Sequence, residues 1–340
     1  MCRFLALICA ALSWGLIALC GGAVLGGCGG GDKKLSIAVI PKGTSHVFWQ
    51  SVHAGANRAA RELGIDDPVW EGPTSEKEVG RQINIVDDMM ARGVSALVLA
   101  PLDQKALAKS VERAYEKMPV VIFDSAIVGT DKYTAFVATD NEKGGRLAGE
   151  HMLKLLGEEG GQVILVRYAP ESASTLAREK GFREAVSKGT NVKLLETAFA
   201  SPGREEARAV VADVLVGNAD ARGIFACNES TAVGALMALK EKPPMLQKVK
   251  DGKLHFIGFD SSPELAEALD QGTIHALVLQ DPVRMGYNAL KAAYAALKGQ
   301  AVAKDQPIEP TLITPQNKDK PGMAQLLRPN LEKDLAKRGS

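Results

Sequence analysis

Apolar and polar positions follow two rhythms along this chain. From Leu35 onward, short and wholly apolar runs alternate with longer stretches in which apolar residues recur every three or four positions. Residues 35–40, 96–99 and 120–123 read as strands buried on both faces, and residues 48–63 and 106–117 as amphipathic helices lying on them. The rhythm restarts at residues 135–138, with strands at 163–166, 224–226, 255–258 and 276–279 and helices at 142–156, 178–186 and 205–215. Repeated strand–helix units predict parallel sheets flanked by helices. The expected fold is therefore α/β, with two doubly wound parallel-sheet lobes. In each half a strand ends in the same tripeptide, Phe123-Asp124-Ser125 and Phe259-Asp260-Ser261, which suggests related lobes.

Ligands of open parallel sheets collect beyond the carboxyl ends of the strands, so two facing lobes predict one shared cleft. The loops that would line it are residues 41–49, 101–103, 124–127, 228–230, 260–262 and 280–282. They carry His46, Trp49, Asp124, Asn228, Asp260 and Gln280. Carboxylates and amides grip pairs of hydroxyls that both donate and accept, while an aromatic ring covers an apolar C–H face. That mixture suits a sugar or a sugar-like polyol.

The amino terminus is a different material. No charged residue stands between Phe4 and Gly27, and Arg3 is the only one before Asp32. The apolar run ends in Leu25-Gly26-Gly27-Cys28, which resembles a bacterial lipobox. Residues 1–27 are thus expected to be a lipoprotein signal peptide, Cys28 the lipidated residue and residues 28–34 a tether. The competing reading is an uncleaved signal anchor. Either exports the remainder. Beyond Cys28 only Cys227 is left, too few for a disulfide framework, and it reads as a small buried hydrophobe.

Composition narrows the partners. The 340 residues are 24% charged and 46% hydrophobic, as in folded globular proteins, and 41 Lys and Arg stand against 40 Asp and Glu. No block of like charge marks a nucleic-acid footprint or a polybasic membrane patch. Gly144, Gly145 and Gly149 open a helix after a strand but lack the G-x-G-x-x-G spacing, so close packing of helix on strand is expected and no nucleotide cofactor. His46 and His53 are seven apart with no further ligand nearby, so no metal is expected. There is no G-x-S-x-G, H-E-x-x-H or P-loop pattern, and a non-enzyme is expected.

Taken in order, Lys42-Gly43-Thr44-Ser45-His46-Val47-Phe48-Trp49, Thr139-Asp140-Asn141, Arg178 with Gly181-Phe182, Phe225-Ala226-Cys227-Asn228-Glu229, Phe256-Ile257-Gly258-Phe259-Asp260 and Gln280-Asp281-Pro282 resemble the periplasmic binding proteins of the ribose/galactose type. These are the solute receptors of ABC sugar importers. The resemblance implies a type I periplasmic binding protein fold and a monomer that hands its ligand to permease subunits. It implies ligand contacts from His46, Phe48, Trp49, Asp124, Arg178, Asn228, Asp260 and Gln280, and Lys42 and Ser125, which depart from the family's usual residues, are added as candidates. It also implies crossings near Thr139, Gln280 to Pro282 and Glu309 to Leu312. The lobes would then comprise residues 35–139 with 281–310 and residues 140–280 with 311–340, closing about a hinge. Ser125 stands where ribose binders carry arginine and Ala100 near the place of an asparagine, while Ile40-Pro41-Lys42 with Asp124-Ser125 looks more like the receptors of the furanosyl autoinducer and of rhamnose. The sugar thus stays open, as does a sensory role through a membrane kinase or chemoreceptor.

Each residue has a competing structural assignment. Phe48 and Trp49 would pack the first helix on its sheet, Asp124, Asn228 and Asp260 would cap helices, Gln280 would satisfy backbone in a crossing, and Lys42 and Arg178 would lie on the surface. If Asp124 and Asp260 serve the ligand, replacing either by alanine should cost affinity and little unliganded stability.

Overall fold

The computed structural model describes residues 34–44 and 46–336, so Cys28, the segment before it and Ser45 lie outside the described residues. The first sheet gathers β1 (Ile37–Ile40), β2 (Val69–Trp70), β3 (Ala96–Leu99), β4 (Val120–Phe123) and β5 (Ala135–Thr139). The second gathers β6 (Gly161–Val166), β7 (Val192–Glu196), β8 (Gly223–Ala226), β9 (His255–Phe259) and β10 (Ala276–Leu279). β11 (Asp305–Ile308) then joins the first sheet and β12 (Thr311–Ile313) the second. Spatial order is β2-β1-β3-β4-β5-β11 in one and β7-β6-β8-β9-β10-β12 in the other, and only β12 runs antiparallel. The two sheets repeat one doubly wound topology, with the strand order reversing beside β1 and β6.

The apolar runs became strands because both faces are covered. Every residue of β1, β3, β4, β8 and β10 is buried. The covering helices in the first half are α1 (Val47–Glu62), α2 (Val79–Arg92) and α3 (Ala108–Tyr115). The second half has α4 (Asn141–Leu156), α5 (Ala173–Val186), α6 (Arg204–Gly217), α7 (Glu229–Lys240), α8 (Pro243–Lys250) and α9 (Pro263–Asp270). α10 (Pro282–Leu297) returns to the first sheet, and the chain ends in α11 (Met323–Leu327) and α12 (Glu332–Leu335).

Each sheet carries a pair of helices in near-backbone contact. A Cβ on Gly145 of α4 would lie 1.9 Å from the carbonyl oxygen of Arg178 in α5, and one on Gly181 would lie 2.0 Å from that of Glu142. Gly55 of α1 and Gly286 of α10 are matched in the same way against Val283 and Val52. The expectation that Gly144, Gly145 and Gly149 pack helix on strand therefore holds for Gly144, which faces the Phe259 ring, while Gly145 and Gly149 pack against another helix. This closeness fixes where α5 presents Arg178.

The chain passes between sheets where β5 gives way to α4, where β10 gives way to α10 and between β11 and β12. A fourth passage was not foreseen. Leu327 is buried in the second sheet's core and Arg328 holds Asp270 at 2.5 Å, yet from four residues later α12 lies on α1. There Asp334 pairs with Arg58 at 2.5 Å and its carbonyl accepts from Asn57 at 2.9 Å. Residues 332–336 thus pack with the first lobe, a correction to the assignment of residues 311–340 wholly to the second. The polar groups that draw them across, Asn57 and Arg58 on α1 and Asp334 in the tail, lie far apart in the chain and form no local pattern.

Candidate ligand-binding site

The carboxyl ends of the two sheets face each other, and the loops beyond them meet in a cleft. Lining it are nine of the ten residues expected there: Lys42, His46, Phe48, Trp49, Asp124, Arg178, Asn228, Asp260 and Gln280. The tenth, Ser125, stands just behind, accepting from Lys42 Nζ at 2.7 Å. The free space among these side chains is about 40 Å³, enough for a few waters. The lobes are drawn together.

The strand-end aspartates share a backbone conformation uncommon outside glycine. Asp124 has φ 61° and Asp260 φ 70°, a left-handed turn that aspartate tolerates better than most residues. At both positions the turn closes an apolar strand, and the carboxylate is buried. Their partners differ.

Lys42 meets Asp124 at 3.0 Å and also reaches Ser174 at 3.2 Å and Ser172 at 3.5 Å, both in the second lobe. Although Lys42 is close, Asp124 Oδ2 accepts no hydrogen bond of good geometry and is a buried acceptor with capacity to spare. Asp260 is fully engaged by comparison. Its carboxylate accepts from Gln280 Nε2 at 2.7 Å and from the Glu229 amide at 3.0 Å, where α7 begins, and lies 3.7 Å from Arg178. Burial pushes the Asp260 carboxyl up from its ordinary value, while Arg178 and these hydrogen bonds oppose the rise.

Arg178 is 2% exposed and anchored within its own lobe. It donates to Asn141 Oδ1 at 2.8 Å and to the Cys227 carbonyl at 3.0 Å, and its guanidinium lies 3.9 Å from the centre of the Phe259 ring. Neither Lys42 nor Arg178 is a surface residue. Cys227 is fully buried, and burial raises its thiol, so it is an inert packing residue.

Several site residues have structural employment too. Trp49 is 3% exposed, edge-on to Phe48 and Phe123, and donates from Nε1 to Glu76 at 2.8 Å, so it serves core and cleft together. Asn228 caps α7, its Oδ1 accepting from the Thr231 amide at 3.1 Å. Gln280 bonds Thr139 Oγ1 at 2.7 Å on one side and Asp260 on the other, joining two of the crossings. His46 meets Glu229 of the other lobe at 3.1 Å. That hydrogen bond raises the imidazole above its ordinary value against the effect of burial. Burial alone would raise the Glu229 carboxyl, but hydrogen bonds from His46 and Arg204 hold it below the usual range.

Sequence reasoning missed Glu76, Tyr168, Ser172, Ser174 and Glu229 as site residues. Glu76 follows β2, a two-residue strand too short for any periodicity to announce. It takes the Tyr168 hydroxyl across the cleft at 2.7 Å, and burial, then this carboxylate, push that phenol well up. Tyr168, Ser172 and Ser174 follow β6, a strand that was legible. The rule that ligands lie beyond strand ends would have found them there. Among the described residues no cluster of His, Cys, Asp and Glu is arranged to hold a metal, and no helix is long and apolar enough to cross a membrane.

Two parallel-sheet lobes of identical strand order, meeting at a polar cleft beyond their strand ends, define a type I periplasmic binding protein fold. The chain belongs to that family, since residues 37–301 match the periplasmic binding protein domain. It is 28% identical over 284 residues to the ribose import binding protein of Salmonella typhimurium, covering 83% of this chain and 92% of the relative. A carbohydrate transporter solute-binding protein of Agrobacterium radiobacter, solved with D-arabinose, superposes with a TM-score of 0.80 at 31% identity over 87% of this chain and 99% of that one. An ABC transporter solute-binding protein of Agrobacterium vitis, solved with D-fucose, gives 0.79 at 34% identity over 86% and 99%.

Proposed function

We propose that this protein captures a sugar or polyol in the cleft and delivers it, without chemistry, to an ABC permease. The observation that carries the reading is the cleft floor. Asp124 offers a buried oxygen that accepts no hydrogen bond, opposite a second buried aspartate and beside Lys42 and Arg178. Carboxylates and cations that offset each other in pairs suit a neutral, hydroxyl-rich ligand, whose hydroxyls accept from one member and donate to the other. The names and bound sugars of the relatives support the same class.

The little free space implies that entry needs the lobes to part about the crossings, and that ligand hydroxyls replace the present contacts between Lys42 and the serines. Calorimetry of the chain against D-ribose, D-arabinose, D-fucose, hexoses, inositols and the furanosyl autoinducer tests this, and silence across the panel overturns it.

Tethering at Cys28 completes the proposal. It rests on Leu25-Gly26-Gly27-Cys28 and on the eight residues between Cys28 and β1, a span of roughly 30 Å when extended. Growth with radiolabelled palmitate should label the protein, and Cys28→Ala should abolish the label. Equal labelling of the variant removes the anchor.

A further inference from the structure

Next to the narrow cleft lies a far larger cavity of about 410 Å³, within the roughly 300–1,000 Å³ usual for small-molecule sites. One wall is the start of α1 and of α10, with Val47, Phe48 and Pro282. The other is the unforeseen tail, with Leu326, Leu327 and Pro329. Phe48, Asp260 and Gln280 line both spaces, so the two are parted only by side chains already assigned to the candidate site.

We infer that this cavity receives an apolar substituent carried by the sugar, so that glycosides with an aryl or short alkyl aglycone are the preferred ligand class. The inference rests on the sugar reading and adds to it. A ring held at Asp260 and Gln280 would have its polar edge in the cleft, and a group attached there meets Phe48 and then a mainly apolar chamber. Val47, Phe48, Leu279, Leu326 and Leu327 supply most of the surface such a group would meet, while Glu267 and the paired Asp270 and Arg328 also stand on the wall. A free monosaccharide would leave that apolar wall unused. Because the cavity takes one wall from each lobe, an aglycone in it would also favour the closed arrangement.

The test is titration of the full chain, purified in detergent, with D-ribose, D-arabinose and D-fucose and with the phenyl glycoside of each. For any sugar that binds, the phenyl glycoside should bind at least tenfold tighter. Leu326→Trp, which fills the cavity from the tail side, and Leu326→Asp, which makes its wall polar, should each remove that gain and leave the free sugar's affinity within twofold. A phenyl glycoside no tighter than its parent sugar overturns the inference while leaving the sugar reading intact. So does a Leu326 variant that weakens both ligands equally. Failure of every sugar and every glycoside to bind overturns both.

Discussion

The two lobes reach the cleft with the same device and equip it differently. Each ends an apolar strand in a left-handed aspartate, and each places a buried cation beside it. In the second lobe the cation is Arg178, whose planar fork is held by Asn141, the Cys227 carbonyl and the Phe259 ring, all within that lobe. In the first it is Lys42, a point charge on a flexible stem, two of whose hydroxyl partners lie across the cleft. One half of the site is held by contacts within a single lobe. The other draws on both lobes, so under the proposed hinge motion Lys42 would be tied to closure and Arg178 to folding.

The largest expected effect tests that division. Arg178→Met would leave Asp260 buried without its cation and should cost about 3–5 kcal/mol of unliganded stability. Lys42→Met should cost about 1 kcal/mol or less, because open lobes let water reach Asp124, and should lower ligand affinity at least tenfold. Urea unfolding and calorimetry measure the two, and equal stability losses would erase the contrast.

The aspartates should divide likewise. Asp260→Ala removes the acceptor for the Glu229 amide and for Gln280, and should cost about 2–3 kcal/mol without ligand. Asp124→Ala should leave unliganded stability within about 1 kcal/mol. The expectation that both would be nearly silent in the free protein is thereby revised for Asp260, whose neighbours are structural. Both should lose ligand affinity severely, and a thermal melt beside a titration checks each.

A smaller effect concerns the contact that joins the lobes at His46. Glu229 raises the imidazole, so the protonated form is favoured in the closed cleft. Its contribution is full below the ordinary value of about 6.5 and is lost as pH rises through the raised value. Affinity should therefore fall modestly on going from pH 6 to pH 8.5, and His46→Gln should flatten the profile. A steeper fall in the variant would assign the pH dependence elsewhere.

The last effect lies away from the cleft and shows only in acid, where the second lobe carries the neighbours His255 and His275. Burial, then the charges of His255 and His151, depress His275 to about 4. The unfolded chain binds the proton first, so the stability of the second lobe should decline as pH falls from about 6.5 toward 4. His275→Gln should reduce that slope in acid melts.

Much of this was legible in one dimension. Apolar runs such as 96–99 and 276–279 can only be satisfied between two layers, and strand–helix alternation leaves few ways to stack them, so two parallel lobes followed. Asp124 and Asp260 were legible because a charged residue ending a buried strand has no reason to be there except at a sheet's carboxyl edge. Glu76, Ser172 and Ser174 were missed because their loops follow β2, which shows no periodicity, and β6, whose carboxyl end was passed over. The passage of residues 332–336 to α1 was missed because it depends on Arg58 and Asp334, whose encounter is set by the fold.

The sequence by itself determined the layers and the repeat, since burial and periodicity are properties of neighbours in the chain, and with the family resemblance it placed nine of the sixteen residues that line the cleft. Only the tertiary structure decided which contacts each residue keeps. It made Asn228 a cap, Gln280 a link between crossings, Arg178 a fixture of one lobe and Lys42 a bridge between two. The physical reason is that a polar side chain is satisfied by whatever donor or acceptor the fold brings within about 3 Å, and those partners lie dozens of residues away.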